Sequence, residues 1–247
     1  MAAKLSLVLA CYNEAPWLEQ SVCEISRVLD EIRENYEIIF VDDASSDRTP
    51  EIIRNIAASG PAGRFRSVFH AINTGRGRAV ADGMREAQGE ITGYIDVDLE
   101  IHPRYIPDCI AAIRNGAAVA IGSRTFQFVP RGMWRRFLSG GYAALVRVIL
   151  PGAGSLDTQS GCKFFRRNEI LPVLDLARDS AWFWDTEIMV LCRRAGLAIA
   201  EVPCRYVRNP GKPSTARVTR DIFNNLACLW SFRKRLKRGD LAGGVRA

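Results

Sequence analysis

An α/β fold, with a mostly parallel central sheet and helices on both faces, is predicted by three observations. Short β-rich apolar runs alternate with helical patterns through the first half of the chain. Polar clusters stand where the apolar runs end, and ligands of such sheets bind at the carboxyl ends of the strands. The length of 247 residues, 48% hydrophobic and 25% charged, suits one large α/β domain or one domain with an appendage.

The elements follow in order. Leu5–Ala10 reads as the first strand and ends in Ala10-Cys-Tyr-Asn-Glu14. Tyr12 can stack on a base, and Glu14 can accept from a base or ribose; a loop with a helix cap explains the same residues. Pro16–Glu34 reads as a helix, with Pro16 in the first turn, where a missing N–H costs nothing. Glu37–Val41 is the second strand and ends in Asp42-Asp43. Paired aspartates there can hydrogen-bond the imino N–H of a base or ribose hydroxyls, or one of them is structural. Ser46 or Asp47 caps the helix Thr49–Ala58.

Arg66–Ala71 is the third strand. Asn73-Thr-Gly-Arg-Gly-Arg-Ala79 then opens the helix Gly77–Gln88. Such a glycine-rich loop lets backbone N–H groups approach phosphate, and Arg76 and Arg78 supply charge. No Gly-Lys-Ser/Thr follows, so it is not a Walker A loop. Nor does it follow the first strand, as a dinucleotide fingerprint would.

Ile91–Asp96 is the fourth strand and carries the most informative residues. Asp96 and Asp98 are two positions apart at its end, so their side chains project to the same side. Crowded carboxylates repel unless a cation holds them. A hard divalent ion that bridges phosphate oxygens would do so. Glu100 continues the alternation and is a candidate third ligand; an exposed acidic loop is the plainer alternative. Pro103–Asn115 reads as a helix and Ala117–Ser123 as a strand.

The second half changes character. Between Pro130 and Leu150 arginines interleave with Trp134, Phe137, Tyr142 and aliphatic residues. This suits amphipathic helices at a membrane surface, or a core helix with a solvated basic face. Ile222 to Trp230 follow helical spacing into the basic run Arg233-Lys-Arg-Leu-Lys-Arg238, which reads as a basic-tipped C-terminal helix that can dock on anionic lipid.

The net charge of +7 favours polyanionic partners. The strand ends are acidic and would repel phosphate unless metal intervened, which argues against nucleic acid. Seven scattered cysteines without a C-x-x-C pair, and only two histidines, argue against zinc and for reduced thiols in the cytoplasm. No signal peptide pattern opens the chain, and no apolar stretch reaches the roughly 18–20 residues that span a bilayer. A peripheral place on the cytoplasmic membrane face, or attachment through a separate membrane subunit, is therefore expected.

Taken together and in this order, the motifs resemble glycosyltransferase family 2, with its GT-A (Rossmann-like) fold. The nearest branch is the dolichyl- or polyprenyl-phosphate sugar synthases. The match also uses Gly122-Ser-Arg124, Asp157-Thr-Gln-Ser-Gly-Cys-Lys163, Trp182-Phe-Trp-Asp-Thr-Glu187 and Glu201-Val-Pro203. The resemblance implies an inverting, metal-dependent transferase that moves a sugar from a UDP- or GDP-linked donor to a polyprenyl phosphate. A hydroxyl of a saccharide or small metabolite is the alternative acceptor.

It implies Mg²⁺ or Mn²⁺ on Asp96 and Asp98, with Glu100 where the family often has Gln. A donor site would comprise Ala10, Tyr12, Glu14, Asp42, Asp43, Asn73, Gly75, Arg76, Asp96, Val97 and Asp98. Arg124, Arg131, Ser160, Arg205, Arg208 and Lys212 would form the acceptor side. Arg208-Asn-Pro-Gly-Lys-Pro-Ser214 departs from the family's Arg-x-x-Gly-x-Ser-Lys. Asp157 and Asp185 are the candidate bases for a hydroxyl acceptor, and a helix cap is the other role open to Asp185. On this basis 1–125 forms the nucleotide-sugar half of the domain, 126–215 the acceptor half, and 216–247 a C-terminal amphipathic basic helix and tail.

Overall fold

The computed structural model describes residues 4–125, 149, 156–208 and 218–238, with backbone alone for 218–226. Seven strands form one sheet. They are β1 (Leu5–Cys11), β2 (Tyr36–Asp42), β3 (Phe65–Phe69), β4 (Ile91–Ile95), β5 (Val119–Thr125), β6 (Cys162–Arg166) and β7 (Ile199–Arg205). Their spatial order is β3-β2-β1-β4-β6-β5-β7. Only β6 runs against its neighbours, β4 and β5; the remaining pairs are parallel. The α/β class, the mostly parallel sheet and the covering helices agree with the expectation.

Strand alternation sorts the core into two layers. Leu7, Leu9, Ile38 and Phe40 face one side, where α1 (Leu18–Glu31), α2 (Thr49–Ser59) and α4 (Ile106–Arg114) cover them. Val8, Ile39 and Val41 face the other, under α3 (Arg76–Glu86), α5 (Arg167–Leu174) and α6 (Trp184–Arg194). The C-terminal helix α7 (Val218–Arg238) closes that second layer with Leu229 and Phe232, both buried.

Some boundaries differ from expectation. Helix α1 starts at Leu18, so Pro16 precedes it, while Pro103 opens a 3-10 turn, Pro103–Tyr105, that leads into α4. Arg48 stands at the cap position of α2 without a side-chain cap bond, and Asp47 before it accepts from Thr49 N at 2.9 Å. Ser46 instead donates its hydroxyl to Asn13. Strands β6 and β7 with helices α5 and α6 were not delimited from sequence. Among the described residues no helix is long and apolar enough to cross a membrane.

Candidate active site

The carboxyl ends of β1, β2 and β4 meet at one edge of the sheet, and each turns sharply. Asn13, Ala44 and Leu99 take positive φ values of 56°, 59° and 51°. Left-handed backbone at non-glycine residues is strained and clusters at functional turns. Asn13 braces the neighbouring turn, its Oδ1 accepting from Ser46 N at 2.8 Å. Tyr12 beside it is 46% exposed.

Asp42 and Asp43 divide their work. Asp43 is buried and anchors the glycine-rich loop. It accepts from Thr74 N at 2.8 Å and Gly75 N at 2.7 Å, and meets His70 Nδ1 at 2.8 Å. These hydrogen bonds outweigh burial and hold its carboxyl below the ordinary value. The backbone N–H groups expected to cradle phosphate at Thr74 and Gly75 thus already bind an internal anion. Asn73 is exposed and donates through Nδ2 to Asp43 O at 3.2 Å. Gly75 N and the Asp43 carboxylate thus hold the loop together. Gly75 is required where it stands: φ is +99°, and a Cβ there would come within 2.4 Å of Ser180 O. Asp42 accepts from Ser45 N through Oδ2, while its buried Oδ1 has no partner among the described residues.

Asp96 and Asp98 stand just beyond β4. Asp96 N donates to Gly161 O at 2.9 Å, and a Cβ on Gly161 would collide with Asp96 Oδ2. The acidic pair is therefore seated on a glycine of the 157–163 motif. Burial raises the Asp96 carboxyl, Arg76 pulls it down and Asp98 pushes it up, the balance lying above the ordinary value. Two carboxylate side chains, one of them partly exposed, are the hard oxygen donors that Mg²⁺ or Mn²⁺ takes, so the residues present fit such an ion. Glu100 does not join them. Its carboxylate accepts from the Tyr206 hydroxyl, and among the described residues no three His, Cys, Asp or Glu groups converge as an ion site. Val97 likewise points inward, its carbonyl accepting from Ser21 at 2.5 Å.

Beneath the pair lies a buried ionic network. Lys163 is fully buried on β6 and donates to Asp185 Oδ1 at 2.7 Å, Tyr94 Oη at 2.8 Å and Ser160 O at 2.6 Å. Burial pushes its ammonium down, and Asp185 partly offsets that. Asp185 also accepts from Tyr94 Oη and from Arg76 Nη1. Arg76 reaches Asp96 Oδ1 through Nε at 3.0 Å and Nη2 at 2.5 Å. Its guanidinium carbon lies 5.4 Å from the ring centroids of both Tyr94 and Trp182. Asp185 is neither a cap nor an open base. Phe183 stands at the cap position of α6, and Asp179 accepts from Trp184 N at 3.0 Å. Burial raises the Asp185 carboxyl, but Arg76 and Lys163 outweigh it and hold it below its ordinary value.

The second candidate base is also engaged. Arg124 at the end of β5 grips Asp157 through Nε and Nη2, each at 2.7 Å, and through its backbone N–H at 3.0 Å. The pair outweighs burial and keeps the Asp157 carboxyl low. Ser160, expected on the acceptor side, is buried and donates to Gly122 O at 2.5 Å, so it joins β5 to the 157–163 turn instead. Arg205 is exposed beside Thr125 at the end of β7, and Arg208 is exposed three residues on. Arg131 and Lys212 lie outside the described residues. Tyr206 ties this side to the acidic loop through Glu100, and Val207 N donates to Glu100 O at 2.8 Å.

The central residue not assigned a role from sequence is Lys163. Its signal was a lone cation inside the apolar run Cys162-Lys-Phe-Phe165.

The sheet order and the strand-end carboxylates can be set beside known proteins. The model of the family described as Glycosyl transferase family 2 matches residues 6–171. The chain belongs to glycosyl transferase family 2. Among family relatives, it is 32% identical over 225 residues to the glycosyltransferase AglD of Haloferax volcanii, covering 89% of this chain and 35% of that protein. It is also 32% identical over 176 residues to a dolichol-phosphate mannosyltransferase of Pyrococcus furiosus, covering 70% of this chain and 49% of that one. The chain thus spans half or less of the length of these two relatives. In fold it matches the crystal structure of glucosyl-3-phosphoglycerate synthase from Mycobacterium tuberculosis with Mn²⁺, UDP and glucosyl-3-phosphoglycerate. The TM-score is 0.68 at 21% identity, over 93% of this chain and 80% of that one.

Proposed function

We propose that this family 2 chain transfers a sugar from a nucleotide-sugar donor to a polyprenyl phosphate at a membrane surface, inverting the anomeric centre. One observation carries the choice of acceptor. Asp157 and Asp185, the two candidate bases, are locked in ion pairs that hold them ionised and occupied. A hydroxyl acceptor needs a base to take its proton as it attacks. A phosphate is already ionised near neutral pH and needs none. The dolichol-phosphate specificity named for the Pyrococcus relative supports the same choice.

In this reading Asp96 and Asp98 hold Mg²⁺ or Mn²⁺, which when bound supplies stabilisation to the departing diphosphate. Asp42, with its unpartnered Oδ1, accepts from the donor's base, and exposed Tyr12 stacks on it. Arg205 and Arg208 meet the acceptor phosphate, while Arg124 sets the position of the Asp157 turn. The segment 1–125 serves the donor, and 126–215 serves the acceptor.

The test incubates the protein with Mn²⁺ or Mg²⁺ and a panel of UDP- and GDP-sugars. One arm receives polyprenyl phosphate, a second the dephosphorylated polyprenol, a third a saccharide. Nucleoside diphosphate release that requires the phosphate is expected. Turnover on a hydroxyl acceptor with none on the phosphate would overturn the reading.

A further inference from the structure

Arg76 stands in a position that its place in the glycine-rich loop does not require. Two of its nitrogens converge on one oxygen of Asp96, and the third holds Asp185. Its side chain is 14% exposed, whereas that of Asp96 is 38% exposed. The carboxylate therefore faces the cleft on one side and the guanidinium on the other. Arg76 and Lys163 together offset the charges of Asp96 and Asp185, so of this cluster's carboxylates only the charge of Asp98 is not matched by these two cations. A divalent ion entering at Asp96 adds two positive charges beside a guanidinium that is about 3 Å from the same carboxylate. Like charges at such a distance disfavour one another.

We infer that Arg76 is an internal counter-ion that competes with the divalent metal for Asp96, so that the ion alone binds weakly and binds well only when the donor's diphosphate draws Arg76 away. The hold on Asp185 gives the guanidinium a pivot: it can leave Asp96 without leaving the cleft. The diphosphate brings the negative charge that the ion and Arg76 would then share. This rests on the metal assignment made above, and it adds a direction of control that the assignment does not contain.

The experiment measures Mn²⁺ binding without any nucleotide, by the loss of the free Mn²⁺ paramagnetic resonance signal. It compares wild type, Arg76→Gln, Arg76→Lys and the control Arg85→Gln. Arg85 lies on the same helix, is partly exposed, and pairs with Asp82 and Asp175, far from the acidic pair's contacts. Far-UV circular dichroism checks that each variant folds. Arg76→Gln is expected to bind Mn²⁺ about tenfold or more tightly than wild type, the scale of removing one close like charge. Arg85→Gln, with the same change in net charge, is expected to match wild type. Arg76→Lys keeps the charge but cannot span both carboxylates, so an intermediate affinity is expected; it decides the matter if the glutamine variant does not fold.

Mn²⁺ affinity in the Arg76 variants that is no higher than in wild type overturns the inference. If wild type still binds Mn²⁺ in the presence of UDP or GDP, that result leaves the metal assignment standing. If no protein binds Mn²⁺ even with UDP or GDP present, the metal assignment falls too.

Discussion

At the scale of single residues, the cleft separates groups that can react from groups that hold them. Asp98 has its place in the acidic pair, so Asp98→Asn is expected to cut turnover by at least about 100-fold while unfolding midpoints stay near wild type. Near-normal turnover at saturating metal would remove it from the metal site. Lys163 belongs to the holding set. Taking away its ammonium leaves Asp185 buried against one cation fewer, and breaking a buried pair costs about 3–5 kcal/mol. Lys163→Met should lower the unfolding free energy measured in urea by that much; a smaller loss than for an exposed control would mean the pair is slack. Asp157 gives a pH signature. Its folded pKa lies below its ordinary value, so its pairing with Arg124 stabilises the protein above the unfolded pKa and is lost as pH falls through the folded one. The stability gap between wild type and Arg124→Gln should be constant from neutral pH to about pH 5 and shrink below about pH 4. A gap that instead closes on the alkaline side would contradict the ion pair. Asp96 and Asp98 stand out in sequence at the end of an apolar run, but the structure places both in the turn beyond β4, where strand alternation no longer sets which way they project. The ion pairs that consume Asp157 and Asp185, and the Gly75 N–H that binds Asp43, were not legible, because these partners are 33, 22 and 32 positions away.

At the scale of elements, the first five strands and four helices could be read from apolar runs punctuated by glycine, proline and aspartate. Strands β6 and β7 escaped that reading for physical reasons. Cys162–Arg166 is short and contains a buried lysine, which breaks the apolar signature. Ile199–Arg205 is an edge strand with mostly half-exposed residues and a proline, which edge strands tolerate. The C-terminal helix was expected as a basic-tipped amphipathic helix, and the structure divides its charges. Arg235 is turned inward, donating to Glu187 Oε1 at 2.6 Å and Leu176 O at 2.9 Å. Phe232 meets the ring of Phe183 edge-on with centroids 5.9 Å apart. Glu187 in turn accepts from Arg178 N and Asp179 N, the segment that leads into α6 and its Asp185. Helix α7 is thereby clamped to the floor of the cleft. Phe232→Ala should cost about 3–5 kcal/mol in chemical denaturation. A loss under about 1 kcal/mol, the scale of a surface change, would mean that α7 docks elsewhere.

At the scale of the whole molecule, the side of α7 turned away from the core presents Trp230, Lys234, Lys237 and Arg238. Trp230 is 54% exposed, with the Arg233 guanidinium 5.7 Å from its ring centroid. An aromatic ring ringed by basic side chains suits the boundary between headgroups and acyl chains. The arrangement also meets a geometric demand of the proposed acceptor: a polyprenyl phosphate keeps its tail in the bilayer, so the cleft must come to the surface. Basic residues near an anionic surface contribute about 1 kcal/mol each, and salt screens them. Arg235 is not among them, since its charge is spent on Glu187. Co-sedimentation with anionic liposomes is therefore expected at low salt and should weaken as salt rises. Replacing Arg233, Lys234, Lys237 and Arg238 with Gln should weaken it further while leaving the fold intact. Arg235→Gln should instead destabilise the fold. Trp230→Ala should reduce binding even at high salt, because its contribution is burial rather than charge. Indifference to anionic liposomes at low salt would remove α7 as the docking surface and leave attachment through a separate membrane subunit as the way to reach a lipid acceptor.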